Sequence, residues 1–135
     1  MLEIDEMWSF VLHKANDIWI WLAICRRTRQ VVGHAVGKRT IATCRRLWAS
    51  IPAAYRKMHC FTDFWQAYQA VLPEDLHSAT GKGEGQTCHI ERFNNTLRQR
   101  LGRLVRRTLS FSKCEVMHLI CIRLSQYRTK NSRYF

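Results

Sequence analysis

The chain has 135 residues, with 22 Lys and Arg against 10 Asp and Glu, so its formal net charge is +12 with histidine neutral. Apolar residues make up 47% and include five Trp, six Phe and four Tyr, enough to bury a core of ordinary size and to exclude a disordered or fibrous chain. The basic excess makes a polyanion the expected partner, nucleic acid before an anionic membrane surface.

Leu2 to Val11 is read as the first strand. Leu2, Ile4, Trp8 and Phe10 share one parity and Glu3, Asp5, Met7 and Ser9 the other, the period of two that a strand requires. A polar break over His13 to Asp17 precedes the apolar run Ile18 to Cys25, a second strand whose composition suits burial on both faces. Arg26 to Gln30 reads as a turn and Val31 to Gly37 as a third strand, the three forming an antiparallel meander. The pattern then changes period. Thr40 is the predicted N-cap of a helix carrying Ile41, Cys44, Leu47, Trp48 and Ile51, which Pro52 stops.

Met58 to Asp63 is a fourth strand ending in a carboxylate, followed by a helical turn through Trp65, Tyr68 and Val71 and stopped by Pro73. Gly81 to Gly85 reads as a loop. From about Thr87, Ile90, Phe93, Leu97, Leu101 and Leu104 trace one helical stripe. Ser112-Lys113-Cys114-Glu115 fits a capping box with Phe111 and Val116 as its staple, opening a last helix whose predicted buried face is Val116, Leu119, Ile120, Leu124 and Tyr127. Strands followed by helices predict a single α/β or α+β domain over residues 1–135, built on a mixed sheet, with a basic helical part from about 87 to 135.

The charge is unevenly placed: residues 1–91 sum to +2 and residues 92–135 to +10, with Glu115 the only acid in the second part. That asymmetry favours nucleic acid. The eight-residue run Ile18 to Cys25 is too short to span a membrane, and Met1 to Glu6 is acidic where a signal or transit peptide is basic, so no membrane association and a cytoplasmic location are expected. The six cysteines read as reduced thiols, and no C-x-x-C pair supports a structural zinc site. Cys114, His118 and Cys121, spaced four and three apart on the last helix, read as core residues before metal ligands.

Three acids draw attention by position. Asp5 lies in the first strand, Asp63 at the end of the fourth and Glu91 near a helix start; if strands one and four are neighbours, all three can meet at one point. Such a cluster repels itself unless a divalent cation compensates, and Mg²⁺ suits carboxylates shared with phosphate oxygens. Each acid also has an ordinary reading: an exposed strand residue, a helix N-cap and a favourable anion at a helix start.

The residues around each acid narrow the choice. Leu2-Glu3-Ile4-Asp5-Glu6-Met7-Trp8-Ser9-Phe10, Cys60-Phe61-Thr62-Asp63-Phe64-Trp65-Gln66-Ala67-Tyr68 and His89-Ile90-Glu91-Arg92-Phe93-Asn94-Asn95-Thr96-Leu97-Arg98 closely resemble the three catalytic blocks of the Asp-Asp-Glu transposases of the insertion-sequence-one family, and the likeness runs through essentially the whole chain. The resemblance implies a ribonuclease H-like α/β fold with a five-stranded mixed sheet flanked by helices. It implies that Asp5, Asp63 and Glu91 are catalytic and bind Mg²⁺, with Mn²⁺ as a substitute. It implies cleavage of DNA with water as nucleophile, then strand transfer by the freed 3′-hydroxyl.

It further implies double-stranded DNA as partner, at the element ends and at the target, with pairing of subunits on DNA and a nucleoid-associated location in a bacterium. Full activity in the family goes with N-terminal zinc-finger and helix-turn-helix segments supplied through the upstream reading frame; no such module is read in these 135 residues. Arg92, Arg98, Arg100, Arg103, Arg106 and Arg107 surround the apolar stripe as a DNA-facing surface. Asn95 and Arg98 fall one and two turns after Glu91, to orient it or to contact a phosphate. The competing reading is a basic DNA-binding fragment or regulator of transposition that performs no chemistry.

Overall fold

A computed structural model describes residues 1–63, 65–81, 83–104 and 111–131, the last five as backbone only. Its centre is a mixed five-stranded sheet of order β3-β2-β1-β4-β5, flanked by helices on both faces. Strands β1 (Leu2–Val11), β2 (His13–Cys25) and β3 (Val31–Gly37) form the antiparallel meander. The polar segment from His13 to Asp17 belongs to β2 instead of breaking it. The β1–β2 hairpin turns tightly at Leu12, which takes a left-handed φ of 66°, so pairing resumes at once with Val11 opposite His13.

Strand β4 (Cys60–Thr62) runs parallel to β1 with Leu2 opposite Cys60 and Glu3 opposite Phe61, and β5 (His77–Ala79) runs parallel to β4. The residues around β5 show no strand pattern: three half-buried residues are too few for alternation to register.

On one face, helix α1 (Ile41–Ser50) presents Cys44 and Leu47 to Leu2, Ile4, Trp21 and Ala23. Thr40 caps it as predicted, its hydroxyl accepting from the Thr43 N–H. Gly33 lets the end of α1 approach β3, since a Cβ there would lie 2.4 Å from Ile51 Cγ1. The single turn α2 (Ala53–Arg56) and helix α3 (Gln66–Val71) complete that face, where Tyr68 and Trp65 pack edge to face and both meet Trp21.

Helix α4 (Cys88–Arg100) covers the other face through Ile90, Phe93 and Leu97, against Met7, Ile20, Leu22 and Ile24. The predicted stripe to Leu104 is broken. The helix ends at Arg100, and Gly102–Leu104 forms a 3₁₀ turn that still buries Leu104. The stop falls at Leu101, whose backbone is extended at φ −108° and ψ 102° while its N–H still bonds the Leu97 carbonyl.

Helix α5 (Glu115–Asn131) departs most from expectation. Its docked residues are His118, Ile122 and Gln126, whereas Val116, Ile120 and Leu124 are 62%, 41% and 60% exposed; the Tyr127 side chain lies outside the described residues. The expected staple is absent, with Phe111 packed on Phe10 instead. The Ser112 hydroxyl bonds His118 Nδ1 at 2.6 Å, while Ser9 of β1 bonds His118 Nε2 at 3.0 Å. Ser112 also bridges Val11, its carbonyl accepting from Leu12 N–H at 2.7 Å. Those polar contacts set the rotation of α5. Cys114 is exposed and Cys121 half-buried, so neither is the core residue the sequence suggests. No described helix is long and apolar enough to cross a membrane.

Candidate active site

The odd parity of β1 is a row of attachment points for the C-terminal helices. Glu3 is fully buried, and its carboxylate accepts from the backbone N–H groups of His89 and Ile90 at 2.9 Å each, from His89 Nδ1 at 2.6 Å and from Arg26 Nε at 2.8 Å. It thus supplies the cap that Thr87 does not give α4. Two residues along the strand, Asp5 Oδ2 accepts from Asn94 Nδ2 at 2.8 Å. Same-face residues on a strand lie ~6–7 Å apart, and four or five helical residues rise ~6–7.5 Å. Glu3 and Asp5 therefore match successive turns of α4, which carries Glu91.

Parallel pairing of β1 with β4 carries Asp63 beside Asp5 just beyond the last residue of β4. One carboxylate oxygen from each of Asp5, Glu6 and Asp63 lies within 4.8 Å of the others. Asp63 also accepts from the Trp65 N–H through Oδ1 at 3.0 Å, so it shapes the turn into α3 as well. Glu91 lines the same cleft, of about 440 Å³, but its Oε1 accepts from Thr87 Oγ1 at 2.9 Å, one turn back along α4. The third member of the tight acid group is thus Glu6, although alternation along β1 puts it on the opposite face from Asp5.

Glu6 is held from behind. Tyr68 donates a short hydrogen bond to its Oε2, and Arg39 donates to Oε1 through Nη2 at 2.7 Å and Nε at 3.0 Å. The Arg39 guanidinium is itself sandwiched, 4.8 Å from the centre of the Trp19 ring and 4.6 Å from that of Trp65. Stacking presets the plane of its donors. Burial and the neighbouring Glu6 and Asp63 carboxylates push Asp5 up to about 7, and burial likewise raises Glu6 against the opposing pull of Tyr68 and Arg39.

The cleft therefore holds more negative charge than its surroundings satisfy. Asn94 adds to this: its Oδ1 is buried and has no hydrogen-bond partner among the described residues. A set of oxygen ligands with an unfilled acceptor beside it fits a hard divalent cation.

Asn95 and Arg98 also line the cleft, on the α4 face that carries Glu91. The residue bonded to Asp5, however, is Asn94, three positions after Glu91; helical spacing from Glu91 was the available signal for it. Arg92 lies on another side of α4, in a separate pocket. Arg100 is exposed at the end of α4, and Arg103 sits in the 3₁₀ turn. Arg106 and Arg107 lie outside the described residues.

Sequence comparison places the chain among known proteins. A family profile described as IS1 transposase matches residues 1–130. The insertion element IS1 protein InsB of Shigella flexneri is 40% identical over 116 residues, 86% of each chain. The iso-IS1n protein InsB of Shigella dysenteriae is 41% identical over 116 residues, again 86% of each. The IS1 4 protein InsB of Escherichia coli K12 is 39% identical over 116 residues, 86% of this chain and 67% of that one. The chain belongs to the IS1 family of Asp-Asp-Glu transposases.

Proposed function

We propose that the described residues form the catalytic domain of a DNA transposase with a ribonuclease H-like fold, which cleaves and joins DNA strands by in-line phosphoryl transfer. The observation that carries the reading is the closeness of Asp5, within β1, to Asp63, just past the end of the parallel strand β4, with Glu91 lining the same cleft from α4. Asp5, Asp63 and Glu91 would hold Mg²⁺ or Mn²⁺, Glu91 by exchanging its bond to Thr87 for the cation. Bound ions would supply Lewis acidity for the attacking and leaving oxygens.

The remaining residues prepare the cleft. Asn94 fixes the orientation of Asp5, Glu3 anchors the helix that delivers Glu91, and Arg39 with Tyr68 holds Glu6 beside the acids while offsetting its charge. Arg98 brings a guanidinium to the cleft wall, suited to a phosphate oxygen of the strand being cut. Double-stranded DNA is the partner in this reading, with Arg100 and Arg103 extending the cationic surface. Pairing of subunits on two element ends, cooperation with a DNA-recognition segment of the upstream reading frame, and action at the bacterial nucleoid belong to the same proposal.

A second reading, a DNA-binding regulator without chemistry, draws on the bond between Glu91 and Thr87, which leaves Glu6 in the acid group instead. Nicking of supercoiled plasmid in Mg²⁺ separates the two. The catalytic reading expects strand breaks from the wild type that vanish in Asp5→Asn, Asp63→Asn and Glu91→Gln while DNA binding survives. Binding without metal-dependent breakage in any of the four proteins would leave the regulator.

A further inference from the structure

Helix α4 separates the acidic cleft from a second depression. Glu91, Asn94, Asn95 and Arg98 line the cleft, whereas His89, Arg92, Phe93 and Thr96 line a pocket of about 200 Å³. Arg29, from the turn between β2 and β3, and Ile24 complete it. The two sites differ in sign: the cleft gathers carboxylates, and no carboxylate is among the described residues lining the pocket.

Arg29 and Arg92 are both exposed, and neither is ion-paired to an acid among the described residues. Glu3, the acid that His89 touches, is already satisfied by Arg26, His89 and two backbone N–H groups. Arg29 holds a left-handed φ of 61°, closed in place by bonds from its own N–H to the Cys25 carbonyl at 2.8 Å and from Cys25 N–H to the Gln30 carbonyl at 2.9 Å. That conformation is one a residue with a side chain rarely adopts, and here it sets a guanidinium beside the pocket. Two guanidiniums with no acid partner among the described residues, around a space with buried Ile24 and Phe93, suit an anion with several oxygen acceptors.

We propose that the Arg29–Arg92 pocket is a second phosphate-binding site, which grips the sugar-phosphate backbone of the DNA whose reacting phosphate lies in the acidic cleft. The inference rests on the DNA reading above and adds a fixed point of attachment across α4. A flat basic surface lets a duplex slide; a pocket that seats one phosphate sets the register of the strand against the acids.

The test is duplex binding by the full chain in Ca²⁺ between 50 and 200 mM salt. Wild type is compared with the Arg29→Gln/Arg92→Gln double variant and with Arg45→Gln, an exposed position on α1 across the sheet. Each lost phosphate contact lowers the slope of log affinity against log salt by about 0.9. Because the pocket seats one phosphate, the double variant is expected to lose about 0.9 of slope with its melting temperature kept, and Arg45→Gln to keep the full slope. An unchanged slope in the double variant overturns the pocket while the DNA reading stands. An equal loss in Arg45→Gln makes the effect one of net charge and also overturns it. If inorganic phosphate raises the melting temperature of the wild type only, yet the DNA slopes agree, the pocket is a small-anion site and the proposal fails. Absence of salt-dependent DNA binding by the wild type removes the DNA reading itself.

Discussion

Glu3 reaches from the second residue of the central strand to the first turn of α4, where its carboxylate accepts from the backbone N–H of His89 at 2.9 Å and from the His89 ring at 2.6 Å. The helix that carries Glu91 is thus capped by a residue 86 positions away, and its register against Asp5 depends on that carboxylate.

Removing the cap tests this dependence. Glu3→Ala leaves Arg26, His89 and two buried N–H groups without their acceptor, a loss in the range of ~3–5 kcal/mol for breaking a buried, hydrogen-bonded ion pair. Urea denaturation is expected to show a fall of that size. Glu3→Gln, which keeps an acceptor oxygen, is expected to lose less. Equal stability of Glu3→Ala and wild type would contradict the anchoring role.

Asp5 links pH to stability. Its folded-state value is raised to about 7, so between roughly pH 4 and pH 7 the folded protein holds a proton that the unfolded chain has released. Stability from this group is complete below the unfolded value and falls as pH rises through the folded one. In metal-free solution, Asp5→Asn is expected to raise the melting temperature at pH 8 and to have little effect at pH 4. Mg²⁺ is expected to raise the melting temperature of wild type at pH 8 and not that of the variant. A variant that melts below wild type at pH 8 without metal would refute the strain assigned to this carboxylate.

Arg39 and Glu6 are coupled through two hydrogen bonds, with the Arg39 side chain 39% exposed and that of Glu6 2% exposed. Because solvent screens one partner, the coupling is placed at ~0.5–3 kcal/mol, the span for residues sharing one network. A double-mutant cycle of Arg39→Gln and Glu6→Gln read by denaturation gives the number directly. Strict additivity would show that the bond contributes nothing.

The two sides of α5 make opposite predictions. Leu124→Ser, on the exposed side, is expected within ~0.5 kcal/mol of wild type. Ile122→Ala, on the docked side, is expected to cost ~2–5 kcal/mol. The reverse order would place the helix on the face that its apolar residues first suggest.

Local patterning carries the first half of this molecule. Strand β1 shows its period of two, and β3 and α1 lie where alternation, the Thr40 cap and Pro52 put them. These elements are legible because each obeys a rule whose range is a few residues. The acids were legible by a different route, through the residues that surround Asp5, Asp63 and Glu91, since spacing along a chain does not report proximity across a sheet.

Tertiary structure decided what local rules leave open. Glu6 has the wrong parity for the Asp5 side of β1, yet its longer side chain joins Asp5 and Asp63 past the end of β4, supported by Tyr68 from α3 and Arg39 from the approach to α1. Apolar residues lie around several sides of α5, so periodicity does not choose its buried face. Ser9 and Ser112 fix it by offering partners to both nitrogens of His118, which satisfies a buried imidazole while Val116 and Leu124 stay in water. The sign of the charge followed the same division. Composition announces a cationic protein, and only the packing of α4 on β1 sorts it into an acid-lined cleft on one side of a helix and a basic pocket on another.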